Sequence, residues 1–137
     1  MNETDPQRLQ ANRRQIGSYV ARCHGAWAMA KSKPDDAAKK LVATYAAEGI
    51  KVTDVQTRAE LEVRQPPSLA DQLVKFASVA GGVAPLATSL DVITDFMVAS
   101  GSLKAADKPV ASTLLDRSIL DFISQDAELG PIARGEK

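Results

Sequence analysis

Residues 6–33 read PQRLQANRRQIGSYVARCHGAWAMAKSK, and the way this stretch folds decides the class of the chain. Leu9, Ile16, Tyr19, Val20, Cys23, Trp27 and Ala30 recur at helical spacing, which sets them along one stripe. Thr4 and Asp5 offer a polar cap, and Pro6 at the first helical position gives up no hydrogen bond. The pattern predicts one long helix over about residues 6–31. Gly17 and Gly25 lower its intrinsic stability without interrupting the periodicity.

The rest of the chain repeats this grammar. Pro34, followed by Asp35 and Asp36, starts a second helix over 34–48, with two carboxylates where the helix dipole favours negative charge. Ala38, Leu41, Val42 and Tyr45 form its stripe, and Gly49 suits a left-handed C-cap. A short connection makes it antiparallel to the first. Thr53 and Gln56 fit a capping box that opens a short, charged helix over 53–64, stopped by Pro66 and Pro67. Ser68 opens another over 68–81, with Leu69, Leu73, Phe76, Ala77 and Ala80 on one side and Gly81-Gly82 at its end. Pro85 begins a helix over 86–100, where Leu86, Leu90, Ile93 and Met97 should face a core and Phe96 should widen the stripe. Asp91 and Asp95 fall on its opposite face. Gly101 ends it, with Leu103 folding back over the last turn. Pro109 leads a last helix over 109–124 carrying Leu114, Leu115, Ile119, Phe122 and Ile123. Ile50-Lys51-Val52 is the one alternating stretch, too short for a useful strand. The expectation is an all-α fold of about six amphipathic helices in one domain, residues 1–126, followed by a loose tail over 127–137.

Composition narrows the function classes. Apolar residues make up 45% and charged residues 25% of the 137, the balance of an ordinary globular domain. Seventeen basic and seventeen acidic residues cancel, whereas a nucleic-acid binder carries a basic excess on one face. Arg8, Arg13, Arg14 and Arg22 come nearest to such a face and read as a solvated one. No run of about 18 apolar residues predicts membrane insertion. The polar start, Met1-Asn2-Glu3-Thr4-Asp5-Pro6, does not read as a signal peptide, which places the chain as given in the cytoplasm.

The chemistry-bearing residues do not assemble into a catalytic set. Cys23 and His24 are neighbours, but adjacent helical residues point about 100° apart, so they form no nucleophile pair. Cys23 sits on the apolar stripe and reads as a small hydrophobe. His24, the single histidine, has no acidic partner on its helix face, where Gly17, Val20, Ala21, Ala28 and Lys31 stand. Asp35-Asp36 and Asp91 with Asp95 read as solvated carboxylates, and Gly81-Gly82 lacks the frame of a phosphate loop. Tyr19, Trp27 and Tyr45 lie at core spacing and read as packing rather than as a platform for bases. The residues thus predict a protein that is not an enzyme, with no catalytic, cofactor or metal site.

Three patterns in order add a sharper expectation. Ala28-Met29-Ala30-Lys31-Ser32-Lys33-Pro34-Asp35-Asp36-Ala37-Ala38-Lys39-Lys40-Leu41 resembles the "W-A-x-x-N-P-E-E-A-A-K-x-L" pattern late in substrate-binding proteins of ABC importers. The group is the nitrate/sulfonate/taurine type, which includes thiamine-precursor binders. Leu90 to Lys104 looks like its "L-x-x-x-A-D-F-x-x-x-x-G-L-I-K", with Thr94 where alanine is commoner and Ser102 in place of an apolar residue. Leu115-Asp116-Arg117-Ser118-Ile119-Leu120 looks like its closing "V-D-x-S-[FY]-L". The resemblance covers residues 6–123 loosely and leaves Lys51 to Pro85 without a match. It implies the helical C-terminal part of a two-lobe α/β periplasmic binding fold, hence a truncated or split solute-binding component of an importer, periplasmic in that family. It carries over no ligand contact to a residue of this chain. Helices shaped to cover a sheet would need the missing α/β lobes or self-association through an apolar face. The other reading of the same helices is a small helical-bundle module for protein–protein interaction.

Overall fold

Prolines and capping side chains set most of the helix starts. A computed structural model describes residues 6–78 and 82–137 of the chain. The expected cap at Thr4 and Asp5 and the expected stripe and stop residues Ala80 and Gly81 lie outside the described residues. Among those described, the elements are α1 (Pro6–Ala11), α2 (Arg13–Ser32), α3 (Pro34–Ala47), α4 (Asp54–Val63), α5 (Leu69–Phe76), α6 (Pro85–Ala99), α7 (Ser118–Gln125) and α8 (Leu129–Ala133). Two short 3-10 turns, Ala105–Asp107 and Ala111–Leu114, join α6 to α7, and no described residue is in a strand. The all-α expectation holds, and six of the helices, α2 to α7, have eight or more residues.

Two capping boxes form, the expected one at Thr53 and a second at Ser68. Thr53 Oγ1 accepts from the Gln56 N–H at 3.2 Å, while Gln56 Oε1 accepts from the Thr53 N–H at 3.0 Å. Ser68 and Asp71 exchange the same pair of bonds at 3.1 Å each. Gly49 and Gly101 adopt φ of 79° and 76°, the left-handed conformation that ends α3 and α6. The backbone N–H groups of Ser102 and Leu103 then bond back to the Met97 carbonyl.

The first helix departs from expectation in two ways. It breaks at Asn12, whose side-chain amide donates to the Arg8 carbonyl at 2.9 Å, an alternative partner that competes with the helical ladder. Its buried face is also not the large-residue stripe. Gly17, Ala21 and Gly25 are buried, one per turn, whereas Tyr19 is 71% exposed and Cys23 is exposed. Small size explains the choice. A Cβ at Gly25 would stand 2.3 Å from the Ile132 carbonyl oxygen, and one at Gly17 would stand 3.0 Å from the Phe122 ring. The missing side chains let α8 and α7 approach the α2 backbone.

The C-terminal residues 127–137 are therefore not a loose tail. Leu129, Gly130 and Ala133 of α8 are buried against α2 and α7. Asp126 Oδ1 accepts the N–H groups of Glu128 and Leu129, both at 2.9 Å, and turns the chain into α8. Arg14 on α2 reaches Asp126 at 3.0 Å and Glu128 at 2.6 Å. Arg13 beside it lies 4.8 Å over the Phe122 ring and donates to the Ser118 carbonyl at 3.3 Å. These two arginines tie the chain ends together, Arg13 half-buried and Arg14 still exposed to solvent as the solvated-face reading expects.

Other boundaries shift for local reasons. The expected helix over 68–81 ends at Phe76, because Ala77 is extended with ψ of 135°. The expected helix over 109–124 splits into the second 3-10 turn and α7. Leu115 between them is extended, and Asp116 Oδ1 accepts the Ser118 N–H at 2.8 Å.

Two apolar cores result. The larger gathers Ala21, Leu69, Leu120, Ile123, Leu129 and Ala133, with Val20, Leu73, Phe76, Ile119, Phe122 and Ile132 around them. The smaller, among the described residues, holds Ala84, Ala87 and Ala111, flanked by Leu90 and Leu115. Helix α6 belongs to the second. It packs on α5 and the Ala111–Leu114 turn through Ala87 and Thr94. Ile93, Phe96 and Met97, expected in the core, instead turn outward together with Val92, at 53, 72, 37 and 65% exposure respectively. Asp91 and Asp95 share Lys108, whose Nζ lies 3.7 and 2.7 Å from their carboxylates. This ion triad ties the acidic side of α6 to the following loop.

Candidate functional site

Beside the small-residue seam, α2 presents a second face. His24, Trp27, Ala28 and Lys31 lie three or four residues apart and line one cleft of about 780 Å³. The volume is in the range of small-molecule sites. Leu61 and Gln65 at the end of α4, the Pro66-Pro67 corner, and Leu69 and Leu73 of α5 form the facing wall. Arg134 after α8 closes one margin. The α3–α4 hairpin positions this wall. Ala38 and Thr57 are its buried contacts, and Asp35 pairs with Arg58 across it. The two prolines fix an extended corner that holds Leu69 toward α2.

The polar groups at the cleft are few and mostly engaged. His24 is half-buried, and that burial lowers its pKa below the usual histidine range, against the opposing effect of its hydrogen bond with Gln72. The ring is thus uncharged at neutral pH. The Ser68 hydroxyl and N–H bond to the Asp71 carboxylate and hold it below the ordinary carboxylate range. Glu62 accepts from Arg58 at 3.4 Å, and Arg134 is bonded to Glu136 at 2.6 Å. No ion pair found among the described residues includes Lys31. The cleft therefore combines apolar walls, a partly exposed indole and one cation outside the ion pairs.

The residues weighed for chemistry in the sequence are dispersed. Cys23 is exposed on a different face of α2 from His24, so the two make no pair. Among the described residues, no three of His, Cys, Asp and Glu gather to hold a metal ion. Asp35 is an ion-pair partner of Arg58, and Asp36 borders a second hollow of about 500 Å³ with Met29, Lys33 and Lys40. Tyr19 and Trp27, read from spacing as core, are both exposed, and only Trp27 lines the cleft. Sequence reasoning took Pro66-Pro67 as a helix stop and missed it as a wall. The i, i+3, i+7 spacing of His24, Trp27 and Lys31 was the available signal, masked by the larger stripe beside it.

The chain matches no family model, no curated protein and no solved structure.

Proposed function

We propose that the chain is a non-catalytic binding component, the helical part of a solute-binding protein of an ABC importer of the nitrate/sulfonate/taurine type. In this role the α/β lobes that complete the fold cover its apolar α6 face. The observation that carries the reading is the outward row Val92, Ile93, Phe96 and Met97 on α6. A helix in a soluble domain buries its widest apolar stripe against another layer. Here the described chain buries the alanine and threonine side instead. The row falls within Leu90 to Lys104, one of the three stretches that resemble the importer proteins. Periplasmic localisation and a small-molecule solute in the completed protein belong to the same reading.

The test adds the separately produced α/β lobes of such a binding protein to the labelled chain. Binding that shifts the resonances of Val92, Ile93, Phe96 and Met97 and raises the thermal midpoint supports the reading. Binding that leaves those resonances in place, or no binding by any member of the group, contradicts it.

A second reading, a free-standing helical interaction module, draws on the larger core, which joins the two ends of the chain without help. It predicts a monodisperse chain that melts cooperatively with no partner and keeps α6 unchanged when the lobes are added.

A further inference from the structure

We propose that the cleft between α2 and the Pro66-Pro67 corner binds a small aromatic carboxylate, its ring against Trp27 and its anionic group at Lys31. The proposal does not rest on the importer reading, because every wall of this cleft comes from the described chain. Three observations converge on the ligand class.

The first is shape and polarity. Pro66, Pro67, Leu69 and Leu73 face Trp27 across a space of about 780 Å³, enough for a bicyclic ring and too small for a folded partner. The second is the aromatic surface. Trp27 lies just beyond the last buried seam residue, Gly25, and keeps 39% of its surface exposed, so the indole is available for stacking. The third is charge. Four other ionisable side chains border the cleft, and each has a partner. Glu62 is held by Arg58, Asp71 by Ser68 and Arg134 by Glu136, while His24 is bonded to Gln72. Lys31 has only the through-space attraction of Asp71, and Asp71 is already turned to its cap. Lys31 lies one helical turn beyond Trp27, so a ring on the indole places its substituent near the ammonium. An anion gains there, and a neutral ring of the same shape does not.

The sequence supplies its own reporters, since the chain has one tryptophan and one histidine. The Trp27 indole N–H and the His24 ring protons are followed by NMR during titration with naphthalene-2-carboxylate. Naphthalen-2-ylmethanol is the uncharged control. Saturable shifts of both reporters with the carboxylate, and weaker binding of the alcohol, are the expected result. Lys31→Gln should weaken the carboxylate about fivefold, the size of one partly exposed ion pair, and leave the alcohol unchanged. Trp27→Leu, followed through His24, should weaken both ligands. The proposal fails if neither reporter saturates, if acid and alcohol bind alike, or if Lys31→Gln leaves the acid's affinity intact. It also fails if the ligand shifts the α6 resonances and not those of the cleft.

Discussion

The clasp between the chain ends and the α6 region are built from opposite materials. In the clasp, α2 contributes two glycines and an alanine, and α7 and α8 contribute Leu120, Ile123, Leu129 and Ala133. Absence on one side makes room for bulk on the other, and the bulk is buried. In the α6 region the order reverses. Alanines make the contact, and Val92, Ile93, Phe96 and Met97 face outward. Burial of apolar area is the main stabilising term in a domain, at about 25 cal/mol per Å². The clasp realises it among the described residues, whereas α6 leaves most of its large apolar side chains exposed. The two regions thus differ in where their large apolar side chains lie, inside the clasp and outside on α6.

The largest expected effect lies in the clasp. Ile123 is fully buried, and Ile123→Ala should cost about 2–5 kcal/mol of unfolding free energy in urea melts. Phe96→Ala, of similar chemistry on α6, should cost far less. Equal losses would erase the distinction between the regions.

Gly25→Ala comes next. Alanine is the better helix former by about 1 kcal/mol, so on propensity alone it stabilises α2. The added Cβ would meet the Ile132 carbonyl at 2.3 Å, and backbone cannot swing aside as a side chain can. A net destabilisation of about 1–3 kcal/mol is expected. Gly17→Ala meets the Phe122 ring at 3.0 Å, a longer approach and to a side chain rather than to backbone, and should cost less. A stabilised Gly25→Ala variant would mean that α8 does not press on α2.

The regions should also respond to opposite ends of the pH scale. The N–H groups of Leu129 and Glu128, with the Arg14 charge, hold the Asp126 carboxyl below its ordinary value. A depressed folded pKa stabilises above the unfolded value and is lost as pH falls through the folded one. Protection of the α8 amides should therefore drop below about pH 4, and Asp126→Asn should remove that dependence. Asp95, then Asp91, holds Lys108 above its ordinary value. A raised folded pKa stabilises below the unfolded value and is lost as pH rises past it, so the loop after α6 should loosen above about pH 10.4. Amides of α8 that keep their protection below about pH 4, or a loop after α6 that does not loosen above about pH 10.4, would contradict these assignments.

The smallest expected effect on stability is Phe96→Ser. The ring is 72% exposed, so unfolding free energy should change by no more than about 0.5 kcal/mol, while binding of an apolar dye to the chain should fall. Unchanged dye binding would remove α6 as the uncovered face.

Much of the fold was legible because its signals are local. Pro6, Pro34 and Pro85 mark helix starts, Thr53 and Ser68 cap where expected, and Gly49 and Gly101 close α3 and α6. The faces were not legible, and the reason is physical. A stripe of Gly17, Ala21 and Gly25 carries almost no hydrophobic signal, since its worth lies in the approach it permits to another backbone. Tyr19 and Cys23 outweighed it in any reading by apolar period. The helix around Gly130 and Pro131 has five residues and looks like a loop, and only its docking on α2 makes it one of the most buried parts of the chain. The cleft was hidden for the same reason. Trp27 was assigned to a core face, whereas the buried seam of α2 is Gly17, Ala21 and Gly25, which leaves the indole on the wall of the cleft.

Hydrogen exchange of the isolated chain, resolved by residue, tests the central division most directly. Amides of α2, α7 and α8 should share the slowest exchange and open together, with α6 opening at lower free energy. Residues 129–133 exchanging at unprotected rates while α2 stays closed would show that the chain ends are not clasped.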